Sequence, residues 1–352
     1  MSAQGGLIME VKAVKIEESN LHKLVSSMFD VQKLRISLEN RFRGMNDNKL
    51  IAFIEGMSSL EGNVKGIIKG DVQQYPIHKW IIAQKGLSFD LAGQLIGLIH
   101  PISRFSNISK LHAYAGMAVI SVCETCSKRY YTLEEKPDKI LHTATRLKEQ
   151  WEKKIVKEGQ PDFVKRAIEM TCTCEKPVVK KIAQRKIKDS LLDYNPALKT
   201  VSYKVGTQFI KQGDYYRRLY DEYREEYALR EDLKAELEAK KGIKIKAKGD
   251  GNGSVETETK GSAHIHRMAQ RKMVKDFLSD LWVVWRELEG LPVTMPYAIS
   301  VLGHSDYRQP APPTAKQIKE ELMKVQDTGG EIKEEKAVKR KREIKERKPK
   351  TG

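Results

Sequence analysis

Between Glu18 and Arg43 the apolar residues Leu21, Leu24, Met28, Val31, Leu34, Leu38 and Phe42 recur in steps of three and four. That spacing predicts an amphipathic helix. After a break at Asn46-Asp47 it returns through Leu50, Phe53, Ile54, Met57, Leu60, Val64, Ile67 and Ile68. Two such helices in succession predict an antiparallel hairpin within the chain or a dimerising coil, since the pattern sustains too few heptads to choose. The run Lys85 to Met117, KGLSFDLAGQLIGLIHPISRFSNISKLHAYAGM, reads as turn, short apolar helix, turn and short helix. Gly86 suits a sharp turn because glycine accepts positive φ without steric cost. Leu91, Leu95, Ile96 and Ile99 keep helical spacing, and Ala92 and Gly93 are small enough for close helix packing. Pro101 ends that helix, and Asn107 or Ser106 can cap the next, which carries Leu111, Tyr114 and Ala115. Backbone N–H groups exposed at such a turn can hold a phosphate, although the same pattern also describes a helical hairpin that only fills a core.

Further along, Ile140, Leu147, Trp151, Ile155, Phe163 and Ile168 predict a charged, mostly helical segment. Asn195 and Pro196 open a helix with Leu198, Val201, Val205 and Phe209 inside and Lys199 and Lys204 outside. Tyr216, Tyr220, Tyr223 and Tyr227 follow at spacing that turns one tyrosine face toward a core. Residues 240–262 are glycine-rich and charged, and read as a linker. Val274, Phe277, Leu278, Leu281, Trp285 and Leu288 form the clearest apolar stripe of the chain. Pro310, Pro312 and Pro313 mark a second linker before a charged tail. The expected organisation is an N-terminal tail (1–17), a helical arm (18–72), a helix-hairpin-helix-like region (73–122), a cysteine-bearing insertion (123–179), a basic helical region (180–239), the linker (240–262), a C-terminal helical region (263–305) and a Pro-containing linker with basic tail (306–352). The fold class is mostly α.

Composition adds a partner class. Across 352 residues, 64 Lys+Arg against 47 Asp+Glu leave a net charge of +17, which favours a polyanion, with nucleic acid ahead of an anionic membrane. No run of about 18 apolar residues suggests a membrane span. No apolar signal core opens the chain, so a reducing, cytoplasmic setting close to the nucleoid is expected. The basic residues Lys180, Lys181, Arg185, Lys186, Arg217 and Arg218 are candidate phosphate contacts, as are Arg271 and Lys272 at the entry to the last helix.

The four cysteines fall into two close pairs, Cys123-Glu124-Thr125-Cys126 and Cys172-Thr173-Cys174. Two such pairs can complete a tetrahedral thiolate site, so structural zinc is expected, with four free thiols as the alternative. Four cysteine ligands leave no open position for catalysis. His264 and His266 form a His-x-His pair without a third ligand nearby in sequence, which favours an ordinary structural role.

The stretch around Gly86 resembles the C-terminal transposase domain of the DEDD-type insertion-sequence transposases, the group that includes the pilin-gene invertases. In that family the turn reads P-G-I-G-P-x-x-A, and R-F…L-x-A-Y-A-G closes the unit. Here Gly86 and Ala92 match the turn, while Arg104-Phe105 and Leu111-His112-Ala113-Tyr114-Ala115-Gly116 match the closure. Lys85, Ser88 and Phe89 stand where the family has proline, glycine and proline. The runs DYNPALK, YYRRLYDEY and HIHRMAQRKMVKDFLSDLWVVWRELEGLP extend the resemblance over about residues 20–305, interrupted by the cysteine-bearing insert. It implies DNA binding in transposition or recombination, with Lys85, Gly86 and Arg104 positioning DNA.

Two departures matter. The family's resolvase-like domain with four acidic metal ligands has no counterpart in residues 1–80, where Asp30, Glu39, Asp47 and Glu55 lie on or between helices. No two-metal nuclease centre is expected, and strand cleavage would need a resolvase-like partner. The family's nucleophilic serine also lacks a matching motif: Ser121, Ser127 and Ser190 are the nearby serines, and none has an identifiable base in sequence. An active serine-dependent strand-transfer enzyme and a structured-RNA-binding protein are the rival functions, and self-association through residues 18–72 is a further expectation.

Overall fold

A computed structural model describes residues 20–44, 48–153, 162–187, 190–230, 260–294 and 309–323. The expected N-terminal tail, most of the 240–262 linker and the basic end of the tail lie outside these residues. The periodic stretches form helices: α1 (Asn20–Arg41), α2 (Asn48–Val72), α3 (Ile77–Ala83), α4 (Phe89–Ile99), α5 (Ile108–Tyr114), α6 (Lys136–Lys153), α7 (Phe163–Glu169), α8 (Pro196–Gln212), α9 (Tyr215–Leu229) and α10 (Lys260–Leu288). Two short strands, β1 (Val119–Cys123) and β2 (Val179–Ala183), complete the set, and the protein is mostly α.

The arm is a hairpin within one chain. Arg35 Nε and Gln32 Nε2 of α1 donate to the Glu61 carboxylate of α2, at 2.8 and 3.1 Å, and Lys65 pairs with the same group at 2.7 Å. At its base Leu21, Val25, Met28, Ile68 and Val72 are buried and merge into the main core. There α4 presents Gly93 and Gly97. A Cβ at Gly93 would collide with Ile68, and one at Gly97 would lie 2.7 Å from Val25, so these glycines let three helices touch. Farther out Leu34, Ile36, Ile51, Phe53 and Leu60 stay exposed.

The core is organised around α10, whose Ala269, Met273, Val274, Phe277, Leu278, Leu281, Trp282 and Trp285 are buried against α3, α5, α8 and α9. Burying a large side chain of this kind stabilises by about 1.5–3 kcal/mol. The indole N–H groups keep partners: Trp80 donates to Ala311 O and Trp282 to Phe105 O, each at 2.9 Å. The tyrosine face of α9 packs as expected, with Tyr216 Oη donating to Asp280 at 2.8 Å and Tyr223 Oη to Asp276.

Three boundaries differ from the sequence reading. First, the insert is framed by an antiparallel ribbon, with Val119 opposite Ala183 and Cys123 opposite Val179. It therefore spans 119–183 rather than 123–179, and the expected basic helical region begins as strand β2. Five-residue runs carry little local signal, and they form here because each strand completes the other's hydrogen bonds. Second, α10 starts at Lys260, inside the expected linker. Third, residues 309–323 are no linker. They turn helical at 315–323 and bury Ala311, Ala315 and Ile318 in the main core. Thr314 and Gln317 form a reciprocal capping box, with Thr314 N–H donating to Gln317 Oε1 at 2.8 Å and Gln317 N–H to Thr314 Oγ1 at 3.3 Å.

Candidate metal centre and nucleic-acid surface

Cys123 ends β1, and Cys126 follows in a tight turn whose Ser127 adopts φ 56°. Arg129 then bridges to Val122 on one side and Thr171 on the other, which delivers Cys172 and Cys174 to the same point. The Cys172 N–H donates to Arg129 O at 2.7 Å, and the Cys123 N–H to Lys128 O at 3.0 Å. All four Sγ atoms lie within 4.8 Å of one another, and Cys123 and Cys174 stand 3.9 Å apart. Four thiolates about 2.3 Å from one central ion would be about 3.8 Å apart. A disulfide needs about 2.05 Å, and the cysteines are free. The cluster can hold a metal ion.

Its electrostatics point the same way. The Cys126 backbone N–H lowers the Cys123 thiol to about 6. Burial raises Cys172, and the Cys126 and Cys172 thiols raise Cys174 to about 12. One thiolate thus forms more readily than its neighbours, which burial and thiol–thiol hydrogen bonds hold in the protonated form. Around the centre, α6 and α7 enclose a small core of their own, Ala144, Leu147 and Ala167 with Ile140, Phe163, Met170 and Leu191. Arg129 pairs with Asp193 and Arg146 donates to Leu192 O at 2.8 Å, tying the insert to the chain before α8.

The basic candidates divide into engaged and open groups. Arg104 donates to Leu98 O at 2.9 Å at the C-terminus of α4, with its guanidinium 4.6 Å from the Phe105 ring centre and 4.4 Å from that of Tyr114. Arg271 donates to Met117 O and Ala118 O, and Lys272 pairs with Glu226 at 2.8 Å over the Tyr223 ring. Arg217 is held by Asp221 and by Ile210 O. Lys199, expected on the outer side, turns inward and donates to Gln184 O, with its ammonium 4.5 Å from the centre of the Tyr194 ring. These five serve the fold first. Lys180 of β2 pairs with Glu124 at 3.2 Å, while Lys181, Arg185 and Lys186 are exposed along and beyond that strand.

Lys85 and Arg218 are exposed and form no ion pair among the described residues. They come together with Arg217 in the walls of a cleft of about 210 Å³ beside the Gly86 turn. Phe209, Tyr215, Tyr216 and Pro312 add its apolar surface, and Asp214 its acidic group. Gly86 has φ 98°, and a Cβ there would lie 2.8 Å from the Gln212 side chain and 3.2 Å from Gln208 O. Its turn is thus pressed against α8, which brings Lys85 to the α8–α9 junction. The contribution of Pro312 was hidden by reading 306–352 as linker, although the capping-box residues Thr314 and Gln317 were a signal.

The nearby serines have ordinary surroundings. Ser121 sits on β1 opposite Lys181, Ser127 lies in the cysteine turn, and Ser190 Oγ donates to Ile187 O at 2.9 Å. None has an imidazole or carboxylate hydrogen-bond partner among the described residues. His264 is exposed, and His266 meets the Tyr220 hydroxyl at 2.7 Å. The four cysteines are the only cluster of three or more metal-capable side chains among the described residues, and no helix among them is long and apolar enough to cross a membrane. No protein-family model, curated protein or solved structure matches the chain.

Proposed function

We propose that this chain is a DNA-binding protein of the transposition and recombination class, built on a transposase-like helical core and carrying one structural zinc ion. The observation that carries the reading is the cleft at the Gly86 turn. Lys85 and Arg218, remote in sequence and both open to solvent, line it with Arg217 in a chain of net charge +17. Cations that remain unpaired beside a backbone turn suit the phosphates of a nucleic acid. The cysteine set suits zinc because four sulfur donors within 4.8 Å of one another can surround one ion and match its preference for thiolate ligands. Cys123, Cys126, Cys172 and Cys174 would hold the ion and keep the insert folded. Lys181, Arg185 and Lys186 add positive charge along and beyond the hairpin.

Cleaving DNA would require acidic metal ligands from a resolvase-like partner. The exposed arm residues Leu34, Ile36 and Phe53 suit self-association. The test is duplex DNA binding as a function of salt. Lys85→Ala and Arg218→Ala should each lower the slope of log K against log salt by about one unit and weaken binding equally for all sequences. An unchanged slope in both variants removes the cleft from the DNA surface. Competition with structured RNA at equal salt decides which nucleic acid is preferred.

A further inference from the structure

The ribbon that carries the cysteine cluster has two unlike faces. On one, Ile120 is buried opposite the half-buried Ile182, and Val122 stands opposite Lys180, which Glu124 engages. Side chains alternate along a strand, so the intervening pairs look the other way. There Val119, 57% exposed, stands opposite the exposed Ala183, and half-buried Ser121 stands opposite the exposed Lys181. Val179 is 43% exposed at the end of the same face. The Lys181 side chain has no ion pair or hydrogen-bond partner among the described residues.

A third extended segment widens the sheet on the free edge of β1. The Cys123 N–H donates to Lys128 O at 3.0 Å and the Tyr130 N–H to Ser121 O at 3.1 Å, on either side of the Val122–Arg129 bridge. Arg129 shares the side of Val122 and pairs with Asp193. Its neighbour Tyr130 therefore shares the side of Ser121, where it is half-buried. Tyr130, Ser121 and Lys181 thus form one row across three strands, with an aromatic ring at one end and an unneutralised ammonium group at the other. Beyond β2 the chain continues to the exposed Arg185 and Lys186.

Breadth decides which partner this face fits. Neighbouring strands lie about 4.8 Å apart, so the outer strands of the row are roughly 9.5 Å apart before side chains are added. A major groove about 12 Å wide admits a two-stranded ribbon, but not three strands with their side chains. A flat face with an aromatic ring, exposed valines and a cation fits unstacked bases and the phosphates between them. We propose that this face binds an unpaired segment of DNA, with a base against the Tyr130 ring, a strand phosphate at Lys181 and the strand running on toward Arg185 and Lys186. The assignment to DNA rests on the function proposed above, whereas the surface is separate from the cleft at Lys85 and Arg218.

The experiment titrates the full chain with two labelled probes, a single-stranded oligothymidine and a DNA duplex, over a range of salt. Tyr130→Ala should weaken oligothymidine binding by about 5- to 150-fold, the loss of one stacked base, while Tyr130→Phe keeps the ring and the affinity. Lys181→Ala should make the single-strand salt slope about 0.7 units shallower, and Lys180→Ala, on the opposite side of the sheet, should leave it unchanged. Lys181 is exposed, so its variant tests the face even where Tyr130→Ala loosens the insert. Duplex affinity should survive Tyr130→Ala, and an equal loss on both probes overturns the single-strand assignment. If Tyr130→Ala and Lys181→Ala both bind oligothymidine like wild type, the face holds no strand. The duplex reading then stands or falls separately, on Lys85→Ala and Arg218→Ala.

Discussion

The side-chain amide of Asn195 lies 2.8 Å from the Tyr114 hydroxyl, while the Asn195 backbone N–H donates to the Tyr114 carbonyl at 2.7 Å. The two residues flank the whole insert, so this double contact closes the core across it. Asn195 also caps α8 by accepting from Leu198 N–H at 3.0 Å. Tyr114→Phe should cost about 0.5–1.5 kcal/mol, and Asn195→Ala about 1–3 kcal/mol because the cap is lost too. Urea unfolding of both singles and the double should give a sum that exceeds the double-mutant cost. Strict additivity would mean that the amide–hydroxyl bond contributes nothing.

Metal removal should act on the insert alone. Protein purified without chelator should contain about one zinc per chain, and either chelator or Cys126→Ser should increase amide exchange across β1, α7 and β2. Protection in α10 should stay unchanged, because the insert has its own small core around Ala144, Leu147 and Ala167. A metal-free preparation with a fully protected insert would count against the centre.

Acid sensitivity should trace to His112. Burial, then the charges of Lys275 and Arg271, push its pKa down to about 3 from an ordinary 6.5. The unfolded chain therefore binds a proton that the folded chain refuses between these values. Stability from this group is intact above pH 6.5 and declines as pH falls toward 3, by about 1.4 kcal/mol per unit. His112→Gln should flatten that decline in denaturant titrations at several pH values. An identical slope in the variant would assign the sensitivity to other groups.

Arg104 should behave as a structural residue. Its guanidinium satisfies the Leu98 carbonyl and packs on the rings of Phe105 and Tyr114. Arg104→Ala should therefore lower stability by roughly 1–2 kcal/mol. In a chain truncated after Lys333 it should leave the salt slope of DNA binding where it was, unlike Arg218→Ala. A slope reduced by about one unit with unchanged stability would restore Arg104 to the proposed DNA surface.

The helices were legible because their signal is local. Leu21 through Phe42, Leu91 through Ile99 and Val274 through Leu288 repeat at the period of the helix they form, and Pro101, Asn107 and Asn195 sit at the ends they were expected to mark. The cysteine cluster was legible for a different reason: two close pairs use all four cysteines, and few arrangements other than one site employ them together. The ribbon was not, since VISVC and VKKIA become strands only by pairing with each other across the insert. Nor was the packing of 309–323, where prolines suggested a linker although Ala315, Ile318 and Leu322 keep helical spacing and settle on the core.

Charge separates the two levels most clearly. The sequence by itself determined that the chain is basic and which residues carry the charge. Only the tertiary structure decided that Arg104, Arg217, Arg271 and Lys272 are engaged by carbonyls, carboxylates and rings, while Lys85 and Arg218 share an open cleft and Lys275 stands half-buried without a partner. The physical reason is that a cation's availability depends on what the fold brings within about 4 Å of it: Arg271 is engaged by carbonyls about 150 residues away, and Lys85 meets Arg218 across more than a hundred residues.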